Sequence, residues 1–150
     1  YKRQDKSNAP EGYVTLLPEN PSKTAQEYRN KILNRFNVKI GVIIADSRTQ
    51  PLRLGNVGLA LGVAGFEPVV DERGRKDLFK RPLRVTRRAV ADNLASAAEV
   101  LMGESDESIP AVLIRDVPVK FTDREIKSSE LLIPPHECLY ISVFKEKLGL

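Results

Sequence analysis

VKIGVIIADSRTQPLRLG, Val38–Gly55, is the stretch on which the reading of this chain turns. Val38 to Ala45 is mostly apolar and rich in β-branched side chains, as a buried strand requires, and the run stops on Asp46-Ser47. A carboxylate and a hydroxyl at the C-terminal end of a buried strand are hard oxygen ligands on rigid backbone, a common arrangement for holding a divalent cation. The same two residues also read as a capped turn after a strand, because an Asp side chain bonds its own backbone two residues on. Both readings stand on local sequence alone.

Upstream, Asn20-Pro21 is a helix start, with Asn capping the free amides and Pro suited to the first helical position. Ala25, Tyr28, Ile32, Leu33 and Phe36 recur at three- and four-residue steps, which predicts an amphipathic helix leading into the Val38 strand. Before it, Tyr1 to Gly12 reads as a polar leading segment and Tyr13 to Leu17 as a short strand ended by Pro18. The β-helix-β order favours an α+β or mixed α/β layer structure.

Downstream, Gly55, Gly58, Gly62 and Gly65 punctuate GNVGLALGVAG, whose small residues permit close approach of a ligand or of another backbone. The spacing matches neither a P-loop nor a dinucleotide fingerprint, so tight packing or a bulged strand is the plainer reading. Asp71 to Arg88 is dense in charge and contains Gly74 and Pro82, predicting an exposed hairpin or long loop. Thr86 reads as the N-cap of a helix with Val90, Leu94, Ala97, Ala98 and Leu101 on one side and Gly103 as its stop. Next comes Glu104-Ser105-Asp106-Glu107, acids at the negative end of a helix dipole, which are balanced either by a cation or by solvent. Ala111 to Ile114 predicts a second buried strand and Leu139 to Phe144 a closing one. His136 and Cys138 lack further partners of their kind, so a strand-rim histidine is a better reading than zinc.

With 150 residues the chain has the size of one domain. Its single cysteine excludes an internal disulfide and fits a reducing cytoplasm, and it contains no apolar run of about 18 residues to span a membrane. The 24 Lys and Arg exceed the 20 Asp and Glu by a net charge of +4, but the basic residues are interleaved with acids. No aromatic RNA-binding signature or zinc-finger spacing accompanies them, so neither nucleic acid nor membrane is expected as a partner.

Asp5-Lys6-Ser7-Asn8, Asp46-Ser47 and Gly103-Glu104-Ser105-Asp106 each offer carboxylate, amide or hydroxyl oxygen where loops begin or end, the donor set of magnesium or manganese sites shared with substrate phosphates. Together with Leu16-Leu17-Pro18, Pro51-x-Arg53-x-Gly55, Gly62-x-Ala64-Gly65, Arg73-Gly74, Asp77-Leu78, Val85-Thr86, Ala91-Asp92, Ala95-x-Ala97-Ala98 and Met102-Gly103-Glu104, their order resembles the coenzyme F-420-0:L-glutamate ligase family from Asp5 to about Pro135. That family attaches L-glutamate to a deazaflavin coenzyme precursor with GTP.

The resemblance implies an α+β fold of mixed sheet and packed helices in an intertwined, cytoplasmic homodimer, with this chain as the C-terminal portion and the N-terminal portion missing from it. It implies Asp5 and Asp46 as ligands of one divalent cation, Ser47 and Glu104 as ligands of a second, and Asn8 near the nucleotide. Met102, Gly103, Glu104, Ser105, Asp106 and Glu107 would line the GTP pocket, and Arg53 reads equally as a phosphate clamp or as a structural salt-bridge residue. GTP, two Mg2+ or Mn2+ ions and an additional K+ are the cofactors so implied, and coenzyme F-420-0 and L-glutamate the substrates. The chain departs from the family at Thr49-Gln50-Pro51-Leu52, where Gly-Arg-Pro-Trp is usual, at Lys80, where a glycine is expected, and just before Asp5. Two rival expectations follow: a related γ-glutamyl ligase with another acceptor, or a non-catalytic dimerisation or binding fragment.

Overall fold

Asn20 begins the first helix as its side chain predicts: Oδ1 accepts from the Lys23 amide at 3.0 Å, and Pro21 occupies the first turn. In the computed structural model, which describes the backbone of Gln4–Asp5 and all of residues 8–141, this helix is α1 (Pro21–Phe36). It closes on Asn37, left-handed at φ 53°, whose amide reaches the Leu33 carbonyl at 2.8 Å. The buried face is Ser22, Ala25 and Arg29, whereas Tyr28 and Phe36 of the predicted stripe are exposed. The reason lies in the strand beneath. A Cβ on Gly62 would stand 2.2 Å from the Pro21 carbonyl carbon and 2.4 Å from the Ser22 amide, so α1 presses its first turn onto bare backbone.

Gly62 belongs to the second of four short strands that frame the domain's centre. After the terminal pair β1 (Gln4–Asp5) and β2 (Thr15–Leu16), strand β3 (Val42–Thr49) runs antiparallel to β4 (Asn56–Ala64), with a bulge at Ile44/Ala45. β3 starts four residues later than expected and continues through Asp46 and Ser47 instead of stopping there. Glycine-rich β4 supplies ladder partners to the end, Leu59 opposite Asp46 and Gly58 opposite Ser47. The charge-rich segment is the predicted hairpin, β5 (Val69–Asp71) against β6 (Arg87–Ala89). Thr86 is no N-cap: β6 captures the next three residues, and α2 (Val90–Met102) starts straight after Ala89, its Ala91 amide on the Pro68 carbonyl at 3.1 Å.

The fold is therefore α+β, and all the described strand pairs are antiparallel, forming three two-stranded sheets where a mixed sheet was expected. Both helices pack on β4. The core comprises Ala60, Val63, Phe66, Ala91 and Ile126, the last contributed by a long irregular segment whose Phe121 bridges Phe66. Arg29, 7 % exposed, fixes that segment through an ion pair with Asp123 and donates Nε to the Ile40 carbonyl at 3.1 Å.

Ala111 to Ile114 forms no strand; among the described residues it makes no β-bridge, and Leu113 is 68 % exposed. An apolar run becomes a strand only where a ladder partner meets it. Residues 139–141 are helical, and the rest of the predicted closing strand lies outside the described residues. His136 sits exposed in a 3-10 turn, Pro135–Glu137, with Nε2 3.7 Å from Glu137 Oε1, and not at a strand rim. No helix among the described residues is long and apolar enough to cross a membrane.

Candidate functional site

The contact that organises the site joins residues 57 apart in sequence: the Ser47 hydroxyl of β3 donates to Glu104 Oε2, just beyond α2, at 3.2 Å. Three features of β4 and α2 create it. A Cβ on Gly58 would lie 2.6 Å from the Ala95 carbonyl carbon and oxygen, so helix and strand touch backbone to backbone. Ser96 Oγ donates to the Gly58 carbonyl at 2.9 Å, and Asp92 Oδ1 accepts from the Ala60 amide beside the bulge at 3.0 Å. These tethers fix the depth and rotation of α2 on the sheet, and thus where its C-terminal end meets β3.

At that end Gly103 caps the helix with φ 70°, its amide on the Glu99 carbonyl at 2.8 Å. A Cβ there would strike the Glu107 carboxylate at 2.0 Å. Glycine is needed for the positive φ, while the Glu107 side chain could swing aside from a methyl. Glu107 folds back so that Oε2 accepts from the Ser105 amide at 2.9 Å. Its own backbone amide first, and that of Ser105 next, hold its carboxyl below the usual carboxylate range. The 103–107 loop is thus an anion-accepting turn, occupied by its own glutamate.

Glu99, absent from the expected site, is the residue that the fold adds. It continues the buried stripe Ala91–Ala95 by one more helical turn; that stripe is the face pressed onto Gly58, while Val90 and Leu94 of the predicted side pack against the core and Leu101 is exposed. Its carboxyl pKa is raised, first by burial, then by a hydrogen bond with Glu104 that only the protonated form can donate, and by the charges of Glu104 and Asp46. The Gly58 backbone pulls it the other way. Glu99 Oε1 is buried without a hydrogen-bond partner among the described residues. A carboxylate continuing an alanine stripe at four-residue spacing was the available signal.

Of the expected residues, Asp46, Ser47 and Glu104 come together around Glu99, and Met102 to Glu107 form the adjoining loop. Asp46 Oδ1 accepts from the Ser47 amide at 2.9 Å. Asp5 is placed by backbone only, opposite Thr15. Asn8 lies exposed with φ 52° in the turn that follows β1. Arg53 is exposed in the β3–β4 turn, its amide on the Gln50 carbonyl at 3.3 Å.

Residues 2–116 match the family model described as F420-0:Gamma-glutamyl ligase. The chain belongs to that family. Relatives named Coenzyme F420:L-glutamate ligase include those of Methanopyrus kandleri, 48% identical over 74% of this chain and 44% of the relative, and Methanocaldococcus jannaschii, 43% over 91% and 53%. That of Methanosarcina acetivorans is 36% identical over 84% of this chain and 49% of the relative. The chain spans about half the length of the curated relatives it matches.

The donors at the β3–α2 junction suit a divalent cation in kind: hard carboxylate and hydroxyl oxygens, one of them buried and unpartnered. Among the described residues no three His, Cys, Asp or Glu converge closely enough to form a shell by themselves. Magnesium-type sites are commonly built so, from one or two carboxylates with water and substrate phosphate supplying the rest. Lys80 adopts φ 63°, the conformation in which glycine is unstrained.

Proposed function

We propose that this chain is the C-terminal portion of a GTP-dependent ligase that forms an amide between L-glutamate and coenzyme F-420-0. The observation that carries the reading is the Ser47–Glu104 contact with Asp46 and the orphaned Glu99 oxygen beside it, in a chain whose family is that of the F420-0 γ-glutamyl ligases. An acceptor carboxylate oxygen attacks the γ-phosphorus of GTP, the bond to the β–γ bridging oxygen breaks, and GDP leaves. The amine of glutamate then attacks the acyl carbon, loses a proton, and expels phosphate. This chemistry requires no protein nucleophile and depends on positioning and charge stabilisation.

Asp46, Ser47, Glu104 and Glu99 would hold the divalent cations, with Asp5 from the β1 side. Two such cations, Mg2+ or Mn2+, would offset the triphosphate charge and polarise the transferred phosphoryl group. Met102 to Glu107 would border the triphosphate, Asn8 the nucleotide, and Arg53, carried on a solvent-facing turn, would clamp phosphate on closure. Potassium joins the same proposal as a third cation. A homodimer, as the family resemblance implies, belongs to the same proposal. The departures at Leu52 and Lys80, both on exposed turns, favour a second reading in which the ligation is kept and the acceptor differs.

The test is incubation of the protein, with the residues that its relatives carry beyond this span, with GTP, Mn2+, L-glutamate and coenzyme F-420-0. Glutamylated product and GDP in equal amounts are expected. GDP and an amide product only when another carboxylate acceptor is supplied would favour the second reading. No GTP turnover with any acceptor would leave a non-catalytic binding or dimerisation domain.

A further inference from the structure

At the opposite end of α2 from the Ser47–Glu104 contact, the β5–β6 hairpin and the first turns of α2 enclose an open cleft of about 610 Å3. Roughly 14 Å of helix separates Asn93, on the cleft, from Met102, at a rise of about 1.5 Å per residue. The cleft is therefore outside the triphosphate station described above. Among the described residues its ionic lining is Arg75, Lys76, Arg87 and Arg88 against the single carboxylate of Glu72.

Glu72, 8 % exposed, is already engaged by two of those cations, pairing with Arg75 and, at 3.1 Å, with Arg88 Nη2. Asp71, the neighbouring acid at the end of β5, has both carboxylate oxygens on Arg73, Oδ1 at 2.8 Å from its Nε. Lys76 and Arg87 are left, both exposed on the same cleft, and among the described residues neither has an ion-pair partner within salt-bridge distance. Backbone pairing holds them in place: Arg87 opposite Asp71 in the ladder and Lys76 bridged to Pro82. Among the described residues the apolar wall is Leu83 and Ala89, and no aromatic ring lines the cleft on which a base could stack.

We propose that this cleft binds a multivalent oxyanion, the phosphate or carboxylate groups of a small molecule. Arg87 and Lys76 are its primary contacts, and the Glu72-braced Arg75 and Arg88 form the rim. Its volume falls in the range of small-molecule sites, and its donors are guanidinium forks and an ammonium, which match oxyanions geometrically and electrostatically. The proposal stands apart from the ligase reading.

The test is a titration of the isotope-labelled chain with pyrophosphate, and separately with citrate, followed by amide chemical shifts at low salt and again at about 0.15 M. Saturable shifts are expected over 72–76 and 86–93, weakening with salt, and at least about tenfold weaker binding in the K76Q/R87Q double variant. The tighter of the two ligands tells whether phosphate or carboxylate is the preferred chemistry. If the double variant disturbs the hairpin's own spectrum, Lys76→Gln alone carries the test, because Lys76 lies outside the β5–β6 ladder. Absence of saturation with either ligand to millimolar concentration, unchanged affinity in the variant, or shifts centred on 103–107 would overturn the proposal. Loss of any response to GTP with Mn2+ would count against the ligase reading and leave this one standing.

Discussion

Glu99→Gln is the substitution through which the β3–α2 site speaks most directly. The variant keeps the shape of the side chain, removes a carboxylate whose ionised form faces Glu104 and Asp46, and supplies an amide that can donate to Glu104. Burial and those two neighbours raise the Glu99 pKa above its ordinary value of 4.5. A folded-state pKa raised in this way means that folding favours the protonated acid. The penalty is absent well below 4.5 and grows as pH rises through the folded-state value.

In metal-free buffer at about pH 8, E99Q should therefore be more stable than the parent by about 1–2 kcal/mol, the scale of relieving one buried, unsatisfied polar group. For a chain of this size that is a rise in Tm of roughly 2–8 °C, and it should vanish near pH 4. Mn2+ reverses the order, since a bound cation stabilises the ionised carboxylate and binding to the folded state adds to stability. Differential scanning fluorimetry across pH, with and without Mn2+, reads both limbs. An E99Q protein that is less stable than the parent in metal-free buffer at pH 8, or equal Mn2+ responses in the two proteins, would refute the reasoning.

Gly58→Ala drives a methyl into the Ala95 carbonyl and Ser96 amide of α2, backbone that cannot swing aside, and should cost about 1–3 kcal/mol in urea unfolding. Asp92→Ala removes the acceptor of the Ala60 amide and should cost a similar amount, about 1–3 kcal/mol, with amide exchange quickening along β4 more than along α1. Asp71 is held at a pKa of about 2 chiefly by its side-chain bonds to Arg73, so its carboxyl carbon should titrate there by NMR. In Arg73→Ala it should return toward the ordinary 3.8, which means that this pair's contribution to stability is lost only as pH falls through the lowest range.

What could be read from the chain depended on whether the deciding physics was local. Asn20-Pro21 announced α1 because a cap is a matter of two adjacent residues, and Gly103 announced the end of α2 for the same reason. The glycines of GNVGLALGVAG were legible as a place of close approach, but not what approaches: Gly62 receives the first turn of α1 and Gly58 the middle of α2. That choice then set which helix faces are buried. It brought Ala91 and Ala95 fully inward, with Val90 and Leu94 half-buried beside them and Leu101 exposed, and with them Glu99, which a reading by apolar residues alone had no reason to place on the buried side. Ala111 to Ile114 misled in the opposite sense, since β-branched composition marks a segment able to pair and not a segment that has a partner.

The junction of β3 with α2 also explains why the candidate site has the form of half a shell. Asp46 and Ser47 are consecutive on a strand, whose successive side chains leave on opposite faces; Ser47 bonds Glu104, and the Asp46 charge acts on Glu99. A strand and a helix end crossing once can bring two or three oxygens near one another without closing around an ion. If a triphosphate contributes the missing oxygens, cation affinity and nucleotide affinity are two expressions of one coupling, each strengthening the other by the same factor. Mn2+ affinity measured with and without GTP should then differ as much as GTP affinity measured with and without Mn2+. The half-shell geometry requires that equality to be accompanied by weak binding of either alone.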